Sequence, residues 1–162
     1  MAMPAWSRMV RAPQVAAACY RRRGDSVEFL LVHTRRHDKW TFPKGRLEPS
    51  MSPSRAAEKE AWEEAGVRGV IQPECFHSYV HAKRVFWGAS RGRELRVEVF
   101  LLAVEKVYRP KEPGRNPTWF AAANAREVLA HGRDAKYARE IQAVVDRALA
   151  EIGELKLLAS MG

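Results

Sequence analysis

One change of period constrains this chain more than any other feature. Around it, apolar residues come in short runs of strand character. From Ser52 to Gly66 they follow a helical spacing instead. Ala57, Ala61 and Ala65 form a strip of small side chains, and Glu60, Glu63 and Glu64 lie beside it. At about 100° per residue, the three glutamates share roughly a quarter to a third of the helix circumference. Ser52 can cap the start, and Pro53 fits the first helical position. Gly66 is the residue type favoured just past a helix end. A strip of small side chains lets a helix lie close against a sheet. The carboxylates are then held at the rim of that packed interface.

The flanking sequence supplies the sheet. Gln14 to Tyr20 reads as a strand, Gly24-Asp25 as a turn and Val27 to His33 as a second strand. A polar loop over 34–39 leads to the short strand Trp40-Thr41-Phe42, which Pro43 ends. Lys44 to Met51 reads as a loop. Beyond the helix, strand character runs from Val67 to Phe76, Tyr79 to Trp87 and Leu95 to Val107. Ser90-Arg91-Gly92-Arg93 forms the turn between the last two. After a loop from Arg109 to Pro117 come a short strand at Trp119-Phe120 and a small helix from Ala123 to Ala130. A longer helix runs from Asp134 to about Ile152, with Ala138, Ile141, Val144, Val145, Ala148 and Ile152 at three-four spacing. This order predicts an α+β sandwich, a mixed sheet covered by helices. Residues 1–12 read as a basic arm, and 13–162 as one domain.

Charge narrows the partners. Lys and Arg number 28 against 19 Asp and Glu, a formal net charge of +9. Such an excess suits nucleic acid, a membrane surface or a polyphosphate, and does not choose among them. Cys19 and Cys75 are far apart and set among apolar residues, so both are expected to be buried free thiols. His33, His37, His77, His81 and His131 have no metal-ligand spacing, and His81 alone is kept as a weak candidate for the site. No signal-peptide or membrane-spanning run is visible, and a cytoplasmic protein is expected.

On their own, three glutamates on one helix face are better read as a solvated charged surface. Glu60 and Glu64, four residues apart, repel by a few tenths, about 0.2–0.5 kcal/mol. A hard divalent cation reverses that sign. Magnesium takes oxygen ligands and binds through a few carboxylates plus substrate phosphates.

The surroundings decide between the two readings. From Gly45 the chain reads Gly-Arg-Leu-Glu-Pro-Ser-Met-Ser-Pro-Ser-Arg-Ala-Ala-Glu-Lys-Glu-Ala-Trp-Glu-Glu-Ala-Gly-Val. This resembles the Nudix box, G-x5-E-x7-R-E-U-x-E-E-x-G-U with U aliphatic. Gly45, Glu60, Ala61, Glu63, Glu64, Gly66 and Val67 fall on fixed positions. Met51 stands where the box has its first Glu, and Lys59 where it has Arg. The resemblance implies a Nudix-type α/β/α sandwich and a metal-dependent hydrolase that cleaves a diphosphate linkage. Glu60, Glu63 and Glu64 would then be the catalytic, metal-binding carboxylates, joined by the Lys44 backbone carbonyl and an extra carboxylate from Glu112 or, less loop-like, Glu105. Magnesium is the expected ion, with manganese as the alternative. Met51 and Lys59 touch positions that orient the helix, and Glu48 in the loop is the residue expected to compensate.

The flanks resemble the branch acting on diphosphoinositol polyphosphates and diadenosine polyphosphates. They are His33-Thr34-Arg35-Arg36-His37-Asp38-Lys39-Trp40-Thr41-Phe42-Pro43-Lys44-Gly45 before the helix and Gly114-Arg115-Asn116-Pro117-Thr118-Trp119-Phe120 after it. This resemblance implies substrate contacts from Arg35, Lys44, Arg46, Arg115 and Arg133. Arginine grips phosphate in a bidentate fork, and lysine adds a point charge. Tyr79, Phe86 and Trp87 are the aromatic residues that could stack on a base. Trp40, Trp119 and Phe120 read as core. The rival reading is a Nudix-fold module that binds nucleotide or RNA without cutting it. RNA is the less favoured partner, because a polyanion binder gains nothing from a cluster of glutamates.

Overall fold

The computed structural model describes residues 14–83 and 93–162. The basic arm over 1–12, Phe86, Trp87 and the turn residues Ser90, Arg91 and Gly92 lie outside the described residues.

Strand β1 (Gln14–Arg23) is the spine of the sheet. Its side chains alternate: Val15, Ala17 and Cys19 enter one core, and Ala16, Ala18 and Tyr20 the other. A strand covered on both faces must be apolar at consecutive positions. β2 (Ser26–His33) pairs antiparallel with β1, placing Phe29 opposite Tyr20. β7 (Arg93–Val107) runs parallel to β1, with Gln14–Tyr20 against Val97–Ala103. Beyond β2 lie β3 (Trp40–Thr41) and β8 (Thr118–Ala121), both antiparallel to it. β5 (Val67–Ile71) and β6 (His77–Lys83) pair antiparallel with β7. The short β4 (Lys44–Arg46) pairs with the first residues of β1. The eight described strands form one mixed sheet.

Helix α1 (Pro53–Ala65) covers the first face, with Ala56, Ala57, Ala61 and Ala65 against Val15, Ala17, Leu30, Phe100 and Leu102. Helices α2 (Ala122–Ala130) and α3 (Ala135–Ser160) cover the second. There Ile141, Val144, Val145, Ala148 and Ile152 are buried. Each large aliphatic side chain among them contributes about 1.5–3 kcal/mol. The expected α+β sandwich, with helices on both faces of a mixed sheet, is the observed architecture.

Several boundaries differ from expectation. Lys44–Arg46 is a strand rather than loop, because the edge of β1 offers unpaired groups and Gly45 sits flat opposite Val15. β1 runs on to Arg23, steadied by Arg21 and Arg23 reaching across to Glu28. The run from Val67 stops at Ile71, since Pro73 has no N–H to offer a ladder. Cys75 lies in that turn and is exposed, with Sγ 3.1 Å from the His77 carbonyl, so only Cys19 is buried. α3 continues eight residues past Ile152, its last fully buried residue, with Leu155 still packed against the core and no proline to interrupt it.

The stop of α1 is sharply built. Gly66 has φ 68°, its N–H caps the Trp62 carbonyl at 3.1 Å, and its carbonyl accepts from Tyr108 N–H at 2.6 Å. A Cβ there would lie 2.2 Å from the Tyr108 carbonyl oxygen, a backbone atom. Gly66→Ala is therefore expected to destabilise the fold by at least about 2 kcal/mol. A urea titration checks this, and an unchanged midpoint would refute it.

Candidate active site

α1 starts as its sequence implies: Ser52 Oγ accepts the Arg55 N–H at 3.4 Å. Its alanine strip sits on the sheet, which turns Glu64 inward and Glu60 toward β4. Glu64 is 3% exposed. Glu60 is half-buried, with its carboxyl group over Gly45. A Cβ on Gly45 would fall 2.3 Å from the Glu60 carboxyl carbon, so only glycine leaves this space open.

Three segments converge on this point. From β4, the Lys44 N–H donates to Glu64 Oε1 at 3.3 Å. From the segment before β8, Arg115 Nη2 donates to Glu64 Oε2 at 3.5 Å. The same guanidinium donates from Nε to Glu112 Oε2 at 2.8 Å and from Nη1 to the His33 carbonyl at 3.1 Å. The Glu112 N–H in turn donates to the Glu63 carbonyl at 3.0 Å. Tyr108, Gly66 and Glu112 thus stitch the segment after β7 onto the end of α1. Trp62 strengthens the junction, with Tyr108 edge-on at 5.5 Å and the Arg68 guanidinium 3.9 Å from its ring centre.

The electrostatics follow from burial. Removal from water pushes the Glu64 carboxyl up to about 8. Arg115 and the Lys44 N–H oppose that rise, while Glu60 and Glu112 add to it. Burial also raises Glu60; a hydrogen bond to Glu64 opposes this, and the charges of Glu63 and Glu112 reinforce it. Glu60, set over Gly45, therefore feels the charges of Glu63 and Glu112 and bonds Glu64. Among the described residues, no three His, Cys, Asp or Glu side chains are gathered closely enough to hold an ion as they stand. The donor set nevertheless fits a hard divalent cation. It is all oxygen, and a cation would offset the burial, and the lesser mutual repulsion, that hold Glu60 and Glu64 toward their protonated forms.

The two departures from the box are linked. Met51 packs into the core beneath α1. The Met51 N–H donates to the Glu48 carbonyl at 3.1 Å, closing a turn. Glu48 pairs with Lys59, whose ammonium is also 3.9 Å from Glu63. A carboxylate three residues early thus ties the loop to the lysine that stands for arginine. The pairing was legible in part, from Glu48 lying near two co-occurring departures.

Arg35 is exposed in the β2–β3 loop, which Thr34 N–H closes onto the Lys39 carbonyl at 2.9 Å. Arg46 is exposed at the end of β4. Arg115 has a different setting from an open phosphate contact: it is 7% exposed, among protein partners. That inward role was not read from the sequence. Arg133 bonds the Leu129 carbonyl at 2.5 Å, near Tyr79 and Asp38 on the α2–α3 side. Burial pulls its pKa down. Tyr79 is buried, with Thr41 beside its hydroxyl. His81 bonds Gln14 at 2.7 Å, and Glu105 is exposed far along β7. Trp40 and Phe120 stack edge-on at 4.9 Å against the α2–α3 core, as expected of core aromatics.

Known proteins resemble this chain in sequence and in fold. A family model described as NUDIX domain matches residues 11–141. The mouse protein diphosphoinositol polyphosphate phosphohydrolase 3-alpha is 31% identical over 120 residues, covering 72% of this chain and 68% of that one. Among solved structures, a C. elegans Ap4A hydrolase binary complex has a TM-score of 0.63 at 18% identity, over 88% of this chain and 98% of that one. A NUDIX hydrolase from Nitrosomonas europaea has a TM-score of 0.62 at 24% identity, over 86% and 89%. At these identities the structures share a fold. The chain belongs to the Nudix family and is a Nudix hydrolase.

Proposed function

We propose that this hydrolase cleaves a diphosphate linkage in a polyanionic small molecule, a diphosphoinositol polyphosphate or a diadenosine polyphosphate. The observation that carries it is the buried Glu64 carboxyl, with Glu60, set over Gly45, and Glu112 close enough to act on its charge. Magnesium, or manganese, is the ion we assign to Glu60, Glu63 and Glu64, with the Lys44 carbonyl and Glu112 as further donors. When bound, such an ion polarises phosphoryl oxygens and activates water. Glu63 suits the general base better than Glu64, because its side chain is 29% exposed against 4% and so meets water. Arg35, Lys44 and Arg46 are the cations we assign to the substrate phosphates. Arg133, on the α2–α3 side, is a more distant contact for an extended substrate.

The substrate class rests on the net charge of +9 and on the name of the mouse relative. A module that binds nucleotide or RNA without cutting has no use for buried, mutually repelling carboxylates. We read residues 13–162 as one domain. Among the described residues, no helix is long and apolar enough to cross a membrane. Two free thiols suit the reducing cytoplasm, where we place the protein.

Glu63→Gln is expected to lower turnover of a diadenosine polyphosphate with magnesium by roughly 10²- to 10⁴-fold. Its circular dichroism should match the parent. Parent-level product formation by this variant would sink the assignment.

A further inference from the structure

We propose that Arg115 is a positioning residue: it holds Glu64 and Glu112 where a divalent ion needs them and does not grip substrate phosphate. This rests on the hydrolase site proposed above.

Geometry carries the argument. Arg115 sits between two residues of positive φ, Gly114 at 79° and Asn116 at 47°. Its backbone is pinned where the His33 N–H donates to its carbonyl at 2.7 Å. That kink, fixed to the end of β2, directs the side chain inward, where it is 9% exposed. Its donors then divide among three elements: His33 at the end of β2, Glu112 in the loop and Glu64 on α1. A planar guanidinium can hold three such directions at once, whereas an ammonium acts as a point charge. Reaching a phosphate would mean breaking these bonds and leaving Glu64 and Glu112 without their cation. Arg35 and Arg46 are exposed and bear no such cost.

The consequence is a separation of roles. Exposed cations meet the substrate, and the buried one meets the ligands of the ion. Residues that orient metal ligands typically change metal affinity or activity by roughly 10- to 100-fold when removed.

The test uses the full chain, with Mn²⁺ as a probe detected by electron paramagnetic resonance without substrate. Arg115→Met is expected to weaken Mn²⁺ binding by roughly 10- to 100-fold. With saturating metal, kcat for a diadenosine polyphosphate should stay depressed, while KM stays within about threefold of the parent, since substrate contact is unchanged. Arg115→Lys should recover thermal stability better than Mn²⁺ affinity. It also supplies the reading if the methionine variant does not fold. Parent-like Mn²⁺ affinity in both variants, or a tenfold rise in KM with kcat unchanged, would overturn the proposal. A parent protein that binds Mn²⁺ but cleaves no diphosphate would overturn the hydrolase reading instead, and the Mn²⁺ comparison would still decide the role of Arg115.

Discussion

Gly45→Ala is expected to cost at least roughly 10² in turnover while the protein stays folded, because misplacing a reacting group by about 1 Å can cost that much. The added methyl carbon would stand 2.3 Å from both Cδ and Oε1 of Glu60 and 2.7 Å from Oε2. These atoms are the far end of a flexible side chain, so Glu60 swings aside and the backbone need not move. Gly45 has a pairing partner in Val15 that alanine can keep. Stability should therefore fall by less than in Gly66→Ala, where the obstacle is a carbonyl oxygen. The displaced carboxyl group leaves Glu64 and loses its place at the cluster. Turnover measured beside a thermal melt checks both halves. Normal turnover would mean that Glu60 is not needed where it sits.

The second large effect is the dependence of stability on pH and magnesium. Without metal, burial pushes Glu64 up to about 8, above its ordinary value of 4.5, with Glu60 and Glu112 adding to the rise and Arg115 opposing it. The folded state then holds a proton that the unfolded chain has released. The resulting stabilisation is complete below 4.5 and drains away as pH rises through about 8. Its size is of the order of a few kcal/mol, with Glu60 acting in the same direction. His77, lowered by burial, acts in the opposite sense, and its change is finished by about 6.5. At the proposed site a magnesium ion would bind the ionised carboxylates of the folded state, so it should stabilise more at about pH 9 than at about pH 6. Thermal melts with and without magnesium at both values measure this. A magnesium shift that is equal at both, or larger in acid, would contradict it.

The parts of the site that depend on local spacing were legible. Ser52, the alanine strip, the three glutamates and Gly66 all act within one helix, and a 3.6-residue period displays them. β1 was legible because a doubly covered strand is apolar at successive positions. What long-range contact decides was less visible. Arg115 looks like Arg35 or Arg46 in sequence, and only the kink at Gly114 and Asn116, anchored on His33, turns it inward. The strand at Lys44–Arg46 exists because an edge of β1 is there to receive it. Cys75 has apolar neighbours, yet its exposure was set by the turn that Pro73 imposes.

The parallel pairing of β1 with β7 also bears on the order of folding. Gln14 meets Val97, so the paired residues at the middle of the sheet are about half of the chain apart in sequence. α1 docks on a surface to which β7 contributes Phe100 and Leu102. A chain emerging from the ribosome has Glu60, Glu63 and Glu64 long before it has that surface. Closing so large a loop is a slow step, and short-range contacts cannot replace it. The glutamates therefore acquire a fixed arrangement only after β7 has been made, and the segment carrying Glu112 and Arg115 follows it directly.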